Sequence, residues 1–153
     1  MNDGRREVEL YIRTMPQALW AAITDPEQTA RYWFHALNRS TWAPGARWTS
    51  ESADGELYLD GEIIDVEEPS RLVHTFHIAE GAGSEEEASN VAWDITPMGD
   101  ACRLLLVHTG IGPQTLDYVT GGWELILSAL KTWLETGQSL EVGEPGLDVG
   151  ARP

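Results

Sequence analysis

Between residues 57 and 110 the chain reads as four stretches in a row in which apolar and polar residues alternate. They are "LYLDGEIIDVEE", "RLVHTFHIAE", "NVAWDITPM" and "ACRLLLVHTG". Alternation with period two marks strands with one buried face. The links between them are a Pro-Ser turn at Pro69, the polar loop "GAGSEEEAS", and the hairpin pair Gly99-Asp100. None has room for a crossover helix, so successive strands must lie side by side and antiparallel. This constrains the fold more than any other feature. A sheet so made has an apolar face, and something elsewhere in the chain must cover it.

The flanking segments supply the cover. "EVELYIRT" alternates Val8, Leu10 and Ile12 against Glu9, Tyr11 and Arg13, and reads as a further half-buried strand. In "TMPQALWAAITDPEQTARYWF", Pro16 opens a helix with Leu19, Trp20 and Ile23 at helical spacing. Asp25-Pro26 then caps and restarts a second short helix that runs to about Trp33. "STWAPGARWTSES" places a Pro-Gly turn between short extended pieces. A long amphipathic helix is expected from near Pro113 to Gly137, a glycine suited to the C-cap. Its stripe of Leu116, Val119, Trp123, Ile126, Leu127 and Leu130 faces the sheet. Gly121 and Gly122 interrupt that helix at about 1 kcal/mol each against alanine. A bend, or a close approach to the sheet or a ligand, accounts for them.

The fold expected is α+β. A curved antiparallel sheet of six or seven strands wraps a long C-terminal helix, with two short helices after the first strand. Residues 1–6 are expected to fray, 7–137 to form one domain, and 138–153 to be a flexible tail. A curved sheet does not close tightly on a cylinder, so a cavity between the two is expected.

Composition limits the partners. The formal net charge is -15, which disfavours nucleic acid and anionic membranes. There are seven tryptophans but only two phenylalanines, so several indole rings are expected to line a core or cavity. Cys102 is the one cysteine, which fits a reducing cytoplasm. With no apolar leader at residues 1–10 and no apolar run of membrane-spanning length, a cytoplasmic protein with no membrane partner is expected.

Four stretches together resemble the helix-grip fold of the START and birch-pollen-allergen superfamily, called SRPBCC. They are "VELYIRTMPQALWAAITDPEQTARYW", "GEIIDVEEPSRLVHTF", "VAWDITPMGDACRLLLVHTG" and "GGWELILSALKTWLETG". Within it they are most similar to the family named after the activator of the heat-shock protein 90 ATPase. The resemblance spans about residues 7–137. It implies an internal pocket for an apolar small molecule such as a lipid, hormone or polyketide. Some relatives are cyclases or hydrolases, and the family name comes from a co-chaperone domain.

Strand alternation brings candidate residues together. Leu72, His74 and Phe76 share one face; so do Val91, Trp93 and Ile95, and Cys102, Leu104, Leu106 and His108. The residues expected to bind a ligand are Trp33, Phe34, His74, Phe76, Trp93, His108, Trp123 and Leu127. His74 and His108 can serve as polar anchors or as a general base. Equally, each can be buried and satisfied by its surroundings. His77 and His35 are expected at the surface. No catalytic residue is assigned. No metal or cofactor is expected, because no third ligand accompanies the two histidines. Cys102 lacks an adjacent base, and the three glutamates of "GSEEEAS" read as a solvated tip. Trp20 and Trp133 read as packing contacts. Trp42 and Trp48, beside the Pro-Gly turn, are expected to be exposed, where they can serve a homodimer or chaperone contact. The leading expectation is a protein that binds a small, largely apolar ligand. The alternatives are a cyclase- or hydrolase-type enzyme using a pocket histidine, and a chaperone-interacting module.

Overall fold

The computed structural model describes residues 4–141. Seven strands form one sheet: β1 (Arg5–Ile12), β2 (Leu37–Arg39), β3 (Arg47–Glu51), β4 (Leu57–Glu67), β5 (Arg71–Ile78), β6 (Ser89–Met98) and β7 (Ala101–Thr109). Their order is β1-β7-β6-β5-β4-β3-β2, with every neighbouring pair antiparallel. The strands from β2 to β7 are adjacent in chain order, as short links demand. β1 joins the far edge beside β7. Irregular register at Ser50/Glu51 and at Ile63/Asp65 bends the β3–β4–β5 part of the sheet.

Two short helices, α1 (Pro16–Thr24) and α2 (Pro26–Tyr32), follow β1. Both begin with proline, and Asp25 caps α2 by accepting from the Glu27 N–H. The expected single C-terminal helix is instead two: α3 (Pro113–Val119) and α4 (Gly122–Thr136). The break has a local cause. Thr120 closes α3, its N–H and its Oγ1 both bonded to the Leu116 carbonyl. Gly121 then adopts φ 80°, a left-handed conformation that costs a side-chain-bearing residue. α4 ends as expected on a left-handed Gly137, whose N–H bonds to Trp133.

α4 lies across the apolar face of the sheet, burying Trp123, Ile126, Leu127, Ala129 and Leu130. Its far end is tied down by polar contacts. The Lys131 ammonium donates to the Tyr11 carbonyl, the Arg13 N–H donates to Glu135, and the Trp133 indole donates to Gln28. The structure also moves the expected start of the ordered chain. Arg5 and Arg6, placed in a frayed segment by their polarity, belong to β1 because β7 extends to Thr109 and pairs with them. Residues 1–3 of that segment, and 142–153 of the expected tail, lie outside the described residues. No described helix is long and apolar enough to cross a membrane.

Candidate functional site

The site rests on the inner faces of β5, β6 and β7. Period two turns His74 and Phe76, then Ser89, Val91 and Trp93, then Leu104, Leu106 and His108 to this side, and all are buried. Trp33, at the end of α2, and Trp123, in the first turn of α4, descend onto them. The Trp33 ring lies 6.2 Å from Trp93 and 5.4 Å from Trp123. Trp93 and Trp123 meet nearly edge to face at 5.8 Å. Phe76 lies 4.8 Å from His108, and Trp48 lies 4.7 Å from His74. Tilted and edge-to-face pairs of this kind suit the aromatic quadrupole.

Each buried histidine is bonded at both ring nitrogens, and the donors fix its tautomer. The Trp93 indole N–H donates to His74 Nε2 at 3.0 Å, so that nitrogen carries no proton. His74 Nδ1–H then donates to the Thr75 carbonyl at 2.8 Å. The Trp123 indole N–H donates to His108 Nδ1 at 3.0 Å. This leaves the His108 proton on Nε2, which donates to Ser89 Oγ at 2.7 Å, and Ser89 in turn donates to the Phe76 carbonyl. Both imidazoles are neutral. Burial pushes His74 down to about 4, against a smaller opposing pull from the Thr75 carbonyl. Burial, then repulsion from His74, pushes His108 down to about 3. A general base for neutral pH needs a free lone pair and a pKa near 7. Neither ring has either.

The space expected between sheet and helix is therefore largely filled by indole rings. What remains is a cleft of about 30 Å³ lined by Trp33, Phe34, Leu59, Phe76, Tyr118, Val119, Gly122, Trp123 and Ile126. Ligand pockets usually measure roughly 300–1,000 Å³, so the cleft is nearly closed. Two larger grooves flank it. One, of about 290 Å³, runs between α2 and α4 and shares Phe34 with the cleft. The other, of about 310 Å³, runs between β4 and the loop after β5 and shares Tyr118. Single aromatic side chains thus partition the inner cleft from both outer grooves. Phe34 is held at φ 50° and His35 at φ 63°, conformations uncommon outside glycine.

Of the residues expected to bind a ligand, Trp33, Phe34, Phe76 and Trp123 line this cleft. His74, Trp93, His108 and Leu127 sit deeper, sealed in the core. Leu59 and Tyr118 escaped the sequence reading. Leu59 shares its strand face with Leu57 and Ile63 by period two and was legible in principle. Tyr118 was not, because the break at Gly121 turns α3 away from the stripe of α4. Beside Leu59, directly opposite it in register, Ser50 is buried, and so is Asn38 opposite Ser50. Ser50 Oγ and Asn38 Oδ1 make no hydrogen bond within the described protein.

Two surface expectations are corrected. Trp48 is buried, not exposed: its indole donates to the Thr75 carbonyl at 2.7 Å. Gly61 makes room for this, since a Cβ there would collide with both groups. Glu86 is not only a solvated tip residue. Its carboxylate accepts from the N–H groups of Gln114 and Thr115 at the start of α3, which hold its pKa below the usual range. His77 and His35 do lie outward, and Trp20 and Trp133 pack against neighbouring elements. Among the described residues no three His, Cys, Asp or Glu side chains gather as a metal site.

One family's sequence model, described as "Activator of Hsp90 ATPase homolog 1-like protein", matches residues 13–135. No curated protein matches the chain significantly. Among solved structures, the protein MLL2253 of Mesorhizobium loti is 24% identical, with TM-score 0.72 over 86% of this chain and 96% of that one. An HSP90 activator of Plasmodium falciparum is 18% identical, with TM-score 0.74 over 87% of this chain and 97% of that one. DynU16, a putative protein of the dynemicin biosynthetic locus, is 23% identical, with TM-score 0.72 over 90% of this chain but 49% of its own. These similarities establish the helix-grip fold.

Proposed function

The chain belongs to the activator of Hsp90 ATPase homolog 1-like family, and within it we propose that this member binds a small, flat, largely apolar molecule where α3 meets α4. The observation that carries this reading is the cleft itself. Its wall is aromatic and aliphatic, and the histidines behind it are fully bonded to protein groups. Such a wall rewards burial of apolar surface and offers no charge. Closure depends on α3, a helix of seven residues joined to α4 through a left-handed glycine. Swinging α3 outward enlarges the cleft without unpacking the tryptophan–histidine core. The affinity measured is then the intrinsic affinity reduced by the fraction of molecules open.

The binding reading is favoured over catalysis by a pocket histidine, since both candidate bases are neutral, bonded and far below neutral pKa. Family membership also supports a chaperone contact as a second reading, which co-purification with a chaperone separates from the first. The test is a titration with naphthalene and 2-naphthol followed by tryptophan emission. Saturable quenching is expected for both, and is lost in Gly122→Leu. Absence of saturation, or equal binding by Gly122→Leu, rules the cleft out.

A further inference from the structure

The loop from Ala79 to Ala88 connects β5 to β6 and lies between the sheet and α3, touching both. On one side, the Gly83 N–H donates to the Gln114 side chain, and Glu86 accepts from the Gln114 and Thr115 N–H groups. On the other side, His77 of β5 reaches the loop from the outward face of the sheet. Its Nε2 lies 2.9 Å from the Ser84 carbonyl, and its Nδ1 lies 2.9 Å from Asp60 Oδ1 on β4. A carbonyl oxygen and an ionised carboxylate are both acceptors only. A neutral imidazole has one N–H, so one of its nitrogens would turn a lone pair on an acceptor. The doubly protonated ring alone satisfies both contacts.

We propose that His77 is a proton-operated latch: its imidazolium clasps the Ser84 carbonyl to Asp60, and its deprotonation frees the loop and α3 to uncover the cleft. The proposal rests on the cleft reading above, because the helix released carries Tyr118 and Val119 of the cleft wall.

The charges around the ring support a held proton. β4 contributes Asp60 directly opposite His77, and Glu62. β3 contributes Arg47, which donates to the second oxygen of Asp60 at 2.7 Å and keeps that carboxylate ionised. β5 itself adds only the hydroxyl of Thr75, and β6 offers the neutral Asn90 opposite Thr75. In the loop, Glu80, Glu85 and Glu87 are solvent-exposed. The Asp60 hydrogen bond, then the Ser84 carbonyl, raise the His77 pKa above its ordinary value. The sign follows. A raised pKa means the latch is fully engaged below the ordinary histidine value and is lost as pH climbs through the raised one.

The test is amide hydrogen exchange of the ligand-free protein at about pH 6 and about pH 9, with intrinsic rates divided out. Protection of the loop and α3 amides is expected to fall roughly three- to tenfold at the higher pH. That range is the difference between a charge-assisted and a neutral hydrogen bond at a half-exposed position. Amides of β6 and β7 should hold their protection. In His77→Gln the loop and α3 should show no such pH step, and in Asp60→Asn the step should move to lower pH. Wild-type protection that is flat with pH, or a step that survives in His77→Gln, overturns the latch. A pH step in exchange without naphthalene binding leaves the latch standing and removes the ligand reading instead.

Discussion

Acid should unfold this protein through its two buried histidines, and the size of the effect follows from their environment. Both are neutral in the folded chain, with pKa values pushed down to about 4 for His74 and about 3 for His108. In the unfolded chain both titrate near the ordinary value of about 6.5. Below that value the unfolded state binds more protons, so stability falls as pH falls. Linkage gives a loss of about 2 kcal/mol from each histidine between about pH 8 and about pH 5, or about 4 kcal/mol together. That is a large share of the roughly 5–15 kcal/mol typical of a domain. The carboxylates with lowered pKa values, Asp60, Glu86 and Glu135, lose their contribution as the pH falls from the ordinary carboxylate value downward, mostly below about pH 5, so they leave this window nearly clear. His77 acts with the opposite sign, but it is partly exposed and its effect is small. The assay is urea unfolding at several pH values, followed by tryptophan emission. With a slope of roughly 2 kcal/mol per molar urea, the midpoint should drop by about 2 M. His108→Gln, whose amide can replace both hydrogen bonds, should remove about half of that drop, whatever its absolute stability. Parallel midpoint curves for wild type and His108→Gln would refute the buried, bonded histidine.

Three further outcomes follow from named contacts. Trp123→Phe deletes the indole N–H that serves His108 Nδ1 and should cost about 2–4 kcal/mol, from an unsatisfied buried acceptor plus lost ring volume, read as a lower urea midpoint. Gly121→Ala forces a Cβ into a left-handed residue with open space around it, so the expected loss is about 1–2 kcal/mol of backbone strain alone. Gly122 opens α4 and lines the cleft, and a Cβ there meets nothing within 4 Å, so in Gly122→Leu the added side chain should fill the cleft and naphthalene binding should disappear, with the urea midpoint reporting that the fold is kept.

Much of the fold was legible because alternation survives folding. The inward sets on β5, β6 and β7 match the observed burial residue by residue, since a one-residue slip would have turned every apolar side chain to solvent. The glycine pair signalled a bend or a close approach in one C-terminal helix, but the break into two helices depended on Thr120 bonding back to Leu116 and on which glycine took the left-handed turn. Trp48 was misread because a position near a Pro-Gly turn suggests exposure. Its burial depends on Gly61, on a neighbouring strand. Glu86 was misread because the amides it serves lie 28 and 29 residues further along the chain. The inward histidines were visible, but their indole partners were not: only the packed sheet and helix decide where an N–H points. The same packing filled most of the cavity that the resemblance implied.

The binding proposal meets its most direct test in nuclear Overhauser contacts between bound naphthalene and assigned side chains of the wild-type protein. Binding where α3 meets α4 requires contacts to Phe34, Tyr118, Val119 and Ile126, with the indole N–H signals of Trp93 and Trp123 still in their histidine hydrogen bonds. Contacts confined to the outer grooves, or none at all, would contradict it.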